Sequence, residues 1–140
     1  MKKVLFVCNL NAVRSVLAEY MVNQWYGDEV QAESCGVIAG SPDGYAASVA
    51  RDHGLDITSH EARYLMDVPA IEFDEIISFS EDAALEVKRL KLPSHIQTHY
   101  FEVRDMIGIS GPREERLVIY RGIFEDVKTH ILRHFGPESG

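Results

Sequence analysis

The sequence predicts an α/β fold, a three-layer sandwich in which a four-stranded parallel sheet is flanked by helices. Three observations predict it. Short continuous apolar runs rich in β-formers alternate with segments of helical period. No internal repeat, low-complexity tract or linker interrupts that alternation. At 140 residues the chain is about one domain long, enough to bury one sizeable core. Strands alternating with helices imply right-handed crossovers, and hence parallel strands covered on both faces. The expected organisation is one domain over residues 1–136 and a short C-terminal tail at 137–140.

Val4, Leu5, Phe6 and Val7 form the first buried strand. Val13, Val16, Leu17, Tyr20, Met21 and Trp25 then recur at helical spacing, and Gly27 supplies the stop. Residues 30–35 are a second strand with a more broken apolar pattern. Ser41, Pro42 and Asp43 read as N-cap, first-turn proline and first-turn acid of a helix that runs to His53 and ends at Gly54. Thr58, Ser59, His60 and Glu61 open another short helix through Leu65. Residues 73–79, centred on Ile76 and Ile77, make a third strand, and Ser80 caps a helix ending near Leu90. Residues 96–101 are the fourth strand, and residues 102–111, with Gly108 and Gly111 and no period, are a loop. Pro112 starts the last helix, with Leu117, Tyr120, Phe124, Val127, Ile131 and Phe135 on one face, and Gly136 and Pro137 end it.

Composition excludes several classes of function. Fourteen basic against twenty-two acidic residues give a net charge of −8, the wrong sign for a nucleic-acid or anionic-membrane partner. Hydrophobic and charged fractions of 46% and 26% are those of a globular chain rather than a disordered one. The longest stretches without a charged side chain, residues 4–13 and 92–101, fall short of the roughly 20 apolar residues of a membrane-spanning helix. Lys2 and Lys3 before an apolar run do not make a secretory signal, because Asn9, Asn11 and Arg14 break the run and no small-residue cleavage site follows. Two cysteines, Cys8 and Cys35, are too few for a disulfide framework or a structural zinc site. A cytoplasmic protein is expected, with cysteine important through its reactivity.

In a parallel sheet, ligands bind beyond the carboxyl ends of the strands. That rule selects the loops after Val7, Cys35, Phe79 and Phe101. The first reads Cys8, Asn9, Leu10, Asn11, Ala12, Val13, Arg14, Ser15 and enters the first helix. Backbone N–H groups of residues 9–13 would converge there on an anion, aided by the helix dipole. Arg14 has a planar fork that matches two oxygens of a tetrahedral oxyanion. In the first helical turn its charge opposes the dipole, so it belongs there only with an anion nearby. Beneath that anion Cys8 would be held as thiolate, titrating at roughly 3.5–7.5. Ser15 would donate to the sulfur and steady it as a leaving group, and Asn11 would brace the turn. The arrangement suits displacement at phosphorus through a cysteinyl-phosphate intermediate. A buried, inert Cys8 with a solvated Arg14 is the plainer reading, and the strand–loop–helix context argues against it.

These residues resemble the low-molecular-weight protein tyrosine phosphatases and the related thioredoxin-coupled arsenate reductases. The Cys-x5-Arg-Ser loop is matched by Cys8 through Ser15. Leu17-Ala18-Glu19, Glu33-Ser34-Cys35-Gly36, His53-Gly54-Leu55-Asp56, Ser59-His60-Glu61-Ala62-Arg63 and Phe73-Asp74-Glu75-Ile76-Ile77 resemble further segments of that family, in order along nearly the whole chain. The resemblance implies Cys8 as nucleophile, Arg14 as phosphate clamp, and Asn11, Ser15, Ser34 and His60 as a network bracing the loop. It implies no metal and no cofactor. The family places its general acid in an Asp-Pro-aromatic motif after the fourth strand, and Asp105, followed by Met106 and Ile107, stands there. Glu81 and Asp82 are rival acids whose first-turn position is explained by helix capping.

Several residues depart from the phosphatase pattern. Leu10 replaces a glycine, Val13 a second cysteine, Val16 a proline, and Met106 and Ile107 the proline and aromatic. Residues 11–15 look more like the reductase loop. The expected activity is hydrolysis of phosphomonoesters, above all protein phosphotyrosine. Its partners would be a phosphorylated protein or small phosphomonoester, and the chain a monomer or weak homodimer. An arsenate reductase needs further cysteines, and the segment after Phe79 has none, so Cys35 alone is available. Cys35 is expected to protect Cys8 against overoxidation. A third reading is a degenerate module that binds phosphoproteins without hydrolysis. His95/His99 and His130/His134 are each spaced by four, and with no third ligand in view they read as helix-end cations rather than metal ligands.

Overall fold

The structure is a computed structural model that describes residues 1–38, 40, 43–105 and 110–137. Ser41, Pro42, Met106, Ile107, Gly108 and the tail beyond Pro137 lie outside the described residues.

Four strands, β1 (Lys2–Leu10), β2 (Val30–Ile38), β3 (Glu75–Ser78) and β4 (Gln97–Tyr100), pair in the order β2-β1-β3-β4, all parallel. Strand alternation divides the core. Val4, Phe6 and Cys8 of β1 share one face with Ile77 and Phe79, beneath α1 (Arg14–Trp25), α2 (Gly44–Asp52) and α4 (Arg113–Phe135). Leu5, Val7, Cys35 and Ile76 face the other way, under α3 (Glu81–Arg89) and two 3-10 turns, Leu65–Asp67 and Ala70–Glu72. This is the three-layer α/β sandwich expected. The central strands are apolar because both their faces are covered, while β4 at the edge is largely exposed. No helix among the described residues is long and apolar enough to cross a membrane.

The helices start and stop for local reasons. Ser80 caps α3, its hydroxyl accepting from the Ala83 N–H at 3.1 Å. Pro112 precedes α4, and Gly136, at φ 84°, ends it. After α1 a Cβ at position 27 would lie 2.4 Å from the Asn23 carbonyl oxygen, so glycine is required there.

Three expectations are corrected. The cap of α2 is Asp43, whose carboxylate accepts from the N–H groups of Tyr45 and Ala46 at 2.9 and 3.1 Å. Residues 58–64 form no helix, and Leu65 begins the first 3-10 turn. Thr58 is held by Asp56, the Gly36 N–H donates to the Arg63 carbonyl at 2.9 Å, and Tyr64 bridges to Gly36. Pairing with the end of β2 pulls the segment straight. Finally, β1 continues three residues past Val7, with Leu10 paired to Ile38.

Candidate active site

Cys8 lies where β1 passes Gly36 of β2, and it is 1% exposed. Its thiol donates to the Leu10 carbonyl at 2.6 Å, and its sulfur lies 2.8 Å from the Ser15 hydroxyl. Gly36 has to be glycine: a Cβ there would meet the Asn11 nitrogen and the Ile38 oxygen, each at 2.6 Å. Burial pushes the Cys8 thiol up from its ordinary value, while the Ser15 hydroxyl and N–H, the Arg14 charge and the Ala12 N–H pull it down. The net direction is upward, which corrects the depressed value expected for an anion-filled loop. The reason is burial, which outweighs the donors at the sulfur. Asn9 and Leu10 extend the strand instead of turning, so the Leu10 carbonyl also faces the sulfur. The Asn9 side chain accepts instead from Ser80, tying the loop to the cap of α3.

Arg14 is the first residue of α1 and only 4% exposed. Its Nη1 donates to the carbonyls of Phe79 and Val103 at 3.1 and 3.2 Å, and its Nη2 lies 3.5 Å from the Asp105 carboxylate. Those two carbonyls and a carboxylate offset the clash between its charge and the helix dipole, which the sequence had assigned to an anion alone. Asp105 is about one-third exposed (32% for its side chain), so it stands between the guanidinium and solvent.

Asn11 is 1% exposed and joins four elements of the bracing network. Its Nδ2 donates to Ser15 Oγ at 2.9 Å and Ser34 Oγ at 3.0 Å. Its Oδ1 lies 2.8 Å from His60 Nε2 and accepts from the Arg63 N–H at 3.1 Å. The structure thus brings together Asn11, Ser15, Ser34 and His60. Two members of the network went unassigned in the sequence. Glu19 accepts from Ser34 Oγ at 2.7 Å, and burial pushes its carboxyl up. Arg63 donates to Glu33 and to the Ser34 carbonyl at 3.0 and 3.1 Å. Their only signal was position inside the matched segments, since a charged residue on a helix or in a loop otherwise reads as solvated. Burial, with help from Arg63, pushes the His60 pKa down.

A cleft of about 530 Å³ opens over Arg14 and Asp105, with Glu81, Tyr100, Glu102 and Arg104 on its rim. A second, of about 270 Å³, lies on the Asn11, Ala12 and His60 side, against Asp43 and Ala47 of the α2 region. Asp43 also accepts from the Tyr120 hydroxyl at 2.7 Å, so the cap of α2 is held by α4.

A model of the family described as low molecular weight phosphotyrosine protein phosphatase matches residues 3–135. The chain belongs to that family. The low molecular weight phosphatase fold is equally clear in solved structures. The tyrosine phosphatase AmsI of Erwinia amylovora superposes with a TM-score of 0.81 at 21% identity, over 99% of this chain and 94% of that one. An arsenate reductase in its phosphate-binding state gives 0.76 at 23% identity, over 99% and 100%. Among curated relatives, an arsenate reductase of Bacillus licheniformis is 25% identical over 94% of each chain. A glutaredoxin arsenate reductase of Synechocystis sp. is 30% identical over 94% of each. The family is one of enzymes that includes both activities.

Within this phosphatase-family fold the second cysteine does not face the first. Cys35 is opposite Val7 in register and packs with Leu5, Val7, Leu65 and Val68, whereas Cys8 points to the α1 face. Both are free thiols, and Cys35 is pushed up to about 12, chiefly by burial. The two thiols thus leave opposite faces of the sheet, and Cys35 is not aimed at Cys8 as a disulfide partner would be.

Proposed function

We propose that this chain hydrolyses phosphomonoesters through a cysteinyl-phosphate intermediate on Cys8, with phosphotyrosine in a protein as substrate class. The observation that carries the reading is the placement of Asp105. Its carboxylate stands at the mouth of the cleft 3.5 Å from the Arg14 guanidinium, while the second thiol faces away from Cys8. Such an arrangement supplies an acid and a clamp for hydrolysis but no internal thiol for reduction.

In the proposed reaction Arg14 and loop N–H groups hold the equatorial phosphoryl oxygens. The Cys8 thiolate attacks phosphorus, the ester P–O bond breaks, and protonated Asp105 gives its proton to the leaving oxygen. Asp105, now a carboxylate, takes a proton from water as its oxygen attacks phosphorus. The S–P bond breaks and Cys8 leaves as thiolate, steadied by the Ser15 hydroxyl. Passing the thiol proton to a phosphoryl oxygen of the incoming dianion sets the Leu10 carbonyl against a negative sulfur at 2.6 Å. Turning the peptide after Leu10 relieves that repulsion and presents an N–H to the anion instead. Tyr100, 44% exposed on the cleft rim, offers an aromatic surface to the leaving ring.

Arsenate reduction is the second reading, favoured by the names of the curated relatives. With Cys35 on the other face, it would need an external thiol to resolve the Cys8 adduct. The test is metal-free hydrolysis of para-nitrophenyl phosphate and of a phosphotyrosine peptide, beside arsenate turnover with glutathione and glutaredoxin or with thioredoxin. Hydrolysis lost in Cys8→Ser and Arg14→Ala supports the phosphatase. Thiol-dependent arsenate turnover without hydrolysis moves the chain to the reductases. Phosphate binding with neither activity makes it a binding module.

A further inference from the structure

At the end of the sheet opposite Cys8, β3 begins with Glu75, an acid with no exposed surface. The side chains of Glu75, His99 of β4 and His134 of α4 converge, their ligand-capable atoms all within 4.8 Å of one another. His99 Nε2 lies 3.2 Å from Glu75 Oε1, and His134 Nε2 contacts the same oxygen directly. Lys2 Nζ is 2.5 Å from Glu75 Oε2. Even so, Oε2 and His99 Nε2 are buried and make no hydrogen bond of acceptable geometry. Buried polar atoms left so are rare and mark a missing partner.

We propose that Glu75, His99 and His134 bind one divalent ion of the zinc class. Two imidazole nitrogens and one carboxylate oxygen are a donor set zinc accepts, at about 2.0–2.2 Å per bond. Ligands on a tetrahedral ion are then roughly 3.4 Å apart, within the spread of the three atoms, so the His134–Glu75 contact has to open and the widest pair has to close. The fourth position faces the partly exposed side of the two histidines and takes water. The rings of Phe101 and Phe135 pack on His134 at centroid distances of 5.3 and 4.9 Å, fixing its orientation as an outer shell does. The ion replaces Lys2 as the countercharge of Glu75, and the half-exposed lysine swings into solvent.

The i, i+4 histidine pair on α4 is not the site. His130 faces the Glu102 carbonyl at 3.0 Å and stacks on Phe101. The third ligand absent from that reading comes from a strand some 60 residues earlier in the chain. A plain buried ion pair of His134 and Lys2 with Glu75 is the competing account. It leaves His99 Nε2 near Glu75 without a well-formed hydrogen bond and predicts no metal binding.

The site is tested by titrating Co²⁺ into the protein in a Cys8→Ser background, which removes the competing thiol, and following the visible d–d bands. One ion per chain with nitrogen–oxygen tetrahedral bands is expected. His99→Ala and His134→Ala should each weaken binding by more than the roughly 10–100-fold that losing an outer-shell partner costs, with His130→Ala unchanged. Zn²⁺ at a hundredfold excess over its Kd should raise Tm by roughly 10 °C. Imidazole ¹⁵N resonances of the unmutated protein read the same event without any variant, and should move for His99 and His134 only. Absence of saturable binding overturns the proposal. So does binding that survives the double His99→Ala/His134→Ala variant, or ¹⁵N shifts at other histidines.

Discussion

Cys8 and Cys35 sit on neighbouring strands, one residue out of register, and both are buried. What surrounds them differs. Around Cys8 are the Ser15 hydroxyl and N–H, the Ala12 N–H and the Arg14 charge, all lowering the cost of a thiolate. Around Cys35 are aliphatic side chains, with Arg63 the one group that favours its ionisation, and its pKa is pushed to about 12. Burial acts on both sulfurs in the same direction. The comparison teaches that the two sulfurs differ in the donors aimed at them rather than in depth.

The largest effect that sharpens this contrast is at the first sulfur. Cys8→Ser is expected to cut para-nitrophenyl phosphate hydrolysis by at least about 10³-fold and to abolish iodoacetamide labelling, whereas Cys35→Ser leaves turnover unchanged. Equal losses in both variants would break the comparison. Asp105→Asn should lower kcat by about 10²–10⁴-fold with little change in KM, and should remove the limb of the pH–rate profile that reports the acid. Asn11→Ala leaves four hydrogen-bonding partners without their bond and should cost about 3 kcal/mol in urea unfolding. Cys35→Ser places a hydroxyl among aliphatic groups and should cost about 1–3 kcal/mol, its damage confined to stability.

The smallest effect is one of pH. The His60 pKa is lowered on folding, so the unfolded chain binds the extra proton first as pH falls below 6.5. Stability from this residue is therefore present above 6.5 and lost as pH falls toward the folded value. Glu19, raised on folding, acts with the opposite sign above its ordinary value of 4.5. The difference between wild type and His60→Gln in urea midpoints across pH 5–7 isolates the histidine, and a flat difference would refute its partly buried, neutral role.

How far the sequence carried this reading depends on range. The strand–loop–helix around Cys8 and Arg14 was legible because apolar runs, helical period and the dipole argument are all local. Ser34 and His60 share no periodicity and were placed only by resemblance to a family, whereas Asn11 was read locally as a brace of the turn. Contacts set by tertiary approach were not legible. Glu75 was placed in the third strand with no partner in view, yet β1, β4 and α4 close over it. The helix expected at Thr58 was lost to pairing with Gly36. Nor could the sequence show that the Leu10 carbonyl turns inward, because that follows from β1 extending alongside Ile38.

One hydrogen bond in the bracing network sets a direction. A backbone N–H has no choice but to donate, so the Arg63 amide fixes which end of the Asn11 side chain is oxygen. The opposite end then donates twice, filling a lone pair on Ser15 and one on Ser34. Each serine keeps a single proton to aim elsewhere: Ser34 sends its own to Glu19, and Ser15 turns its own toward the Cys8 sulfur. The polarity of the relay is thus written by main chain in a distant loop. An Asn11→Asp exchange, nearly the same in shape, would reverse it.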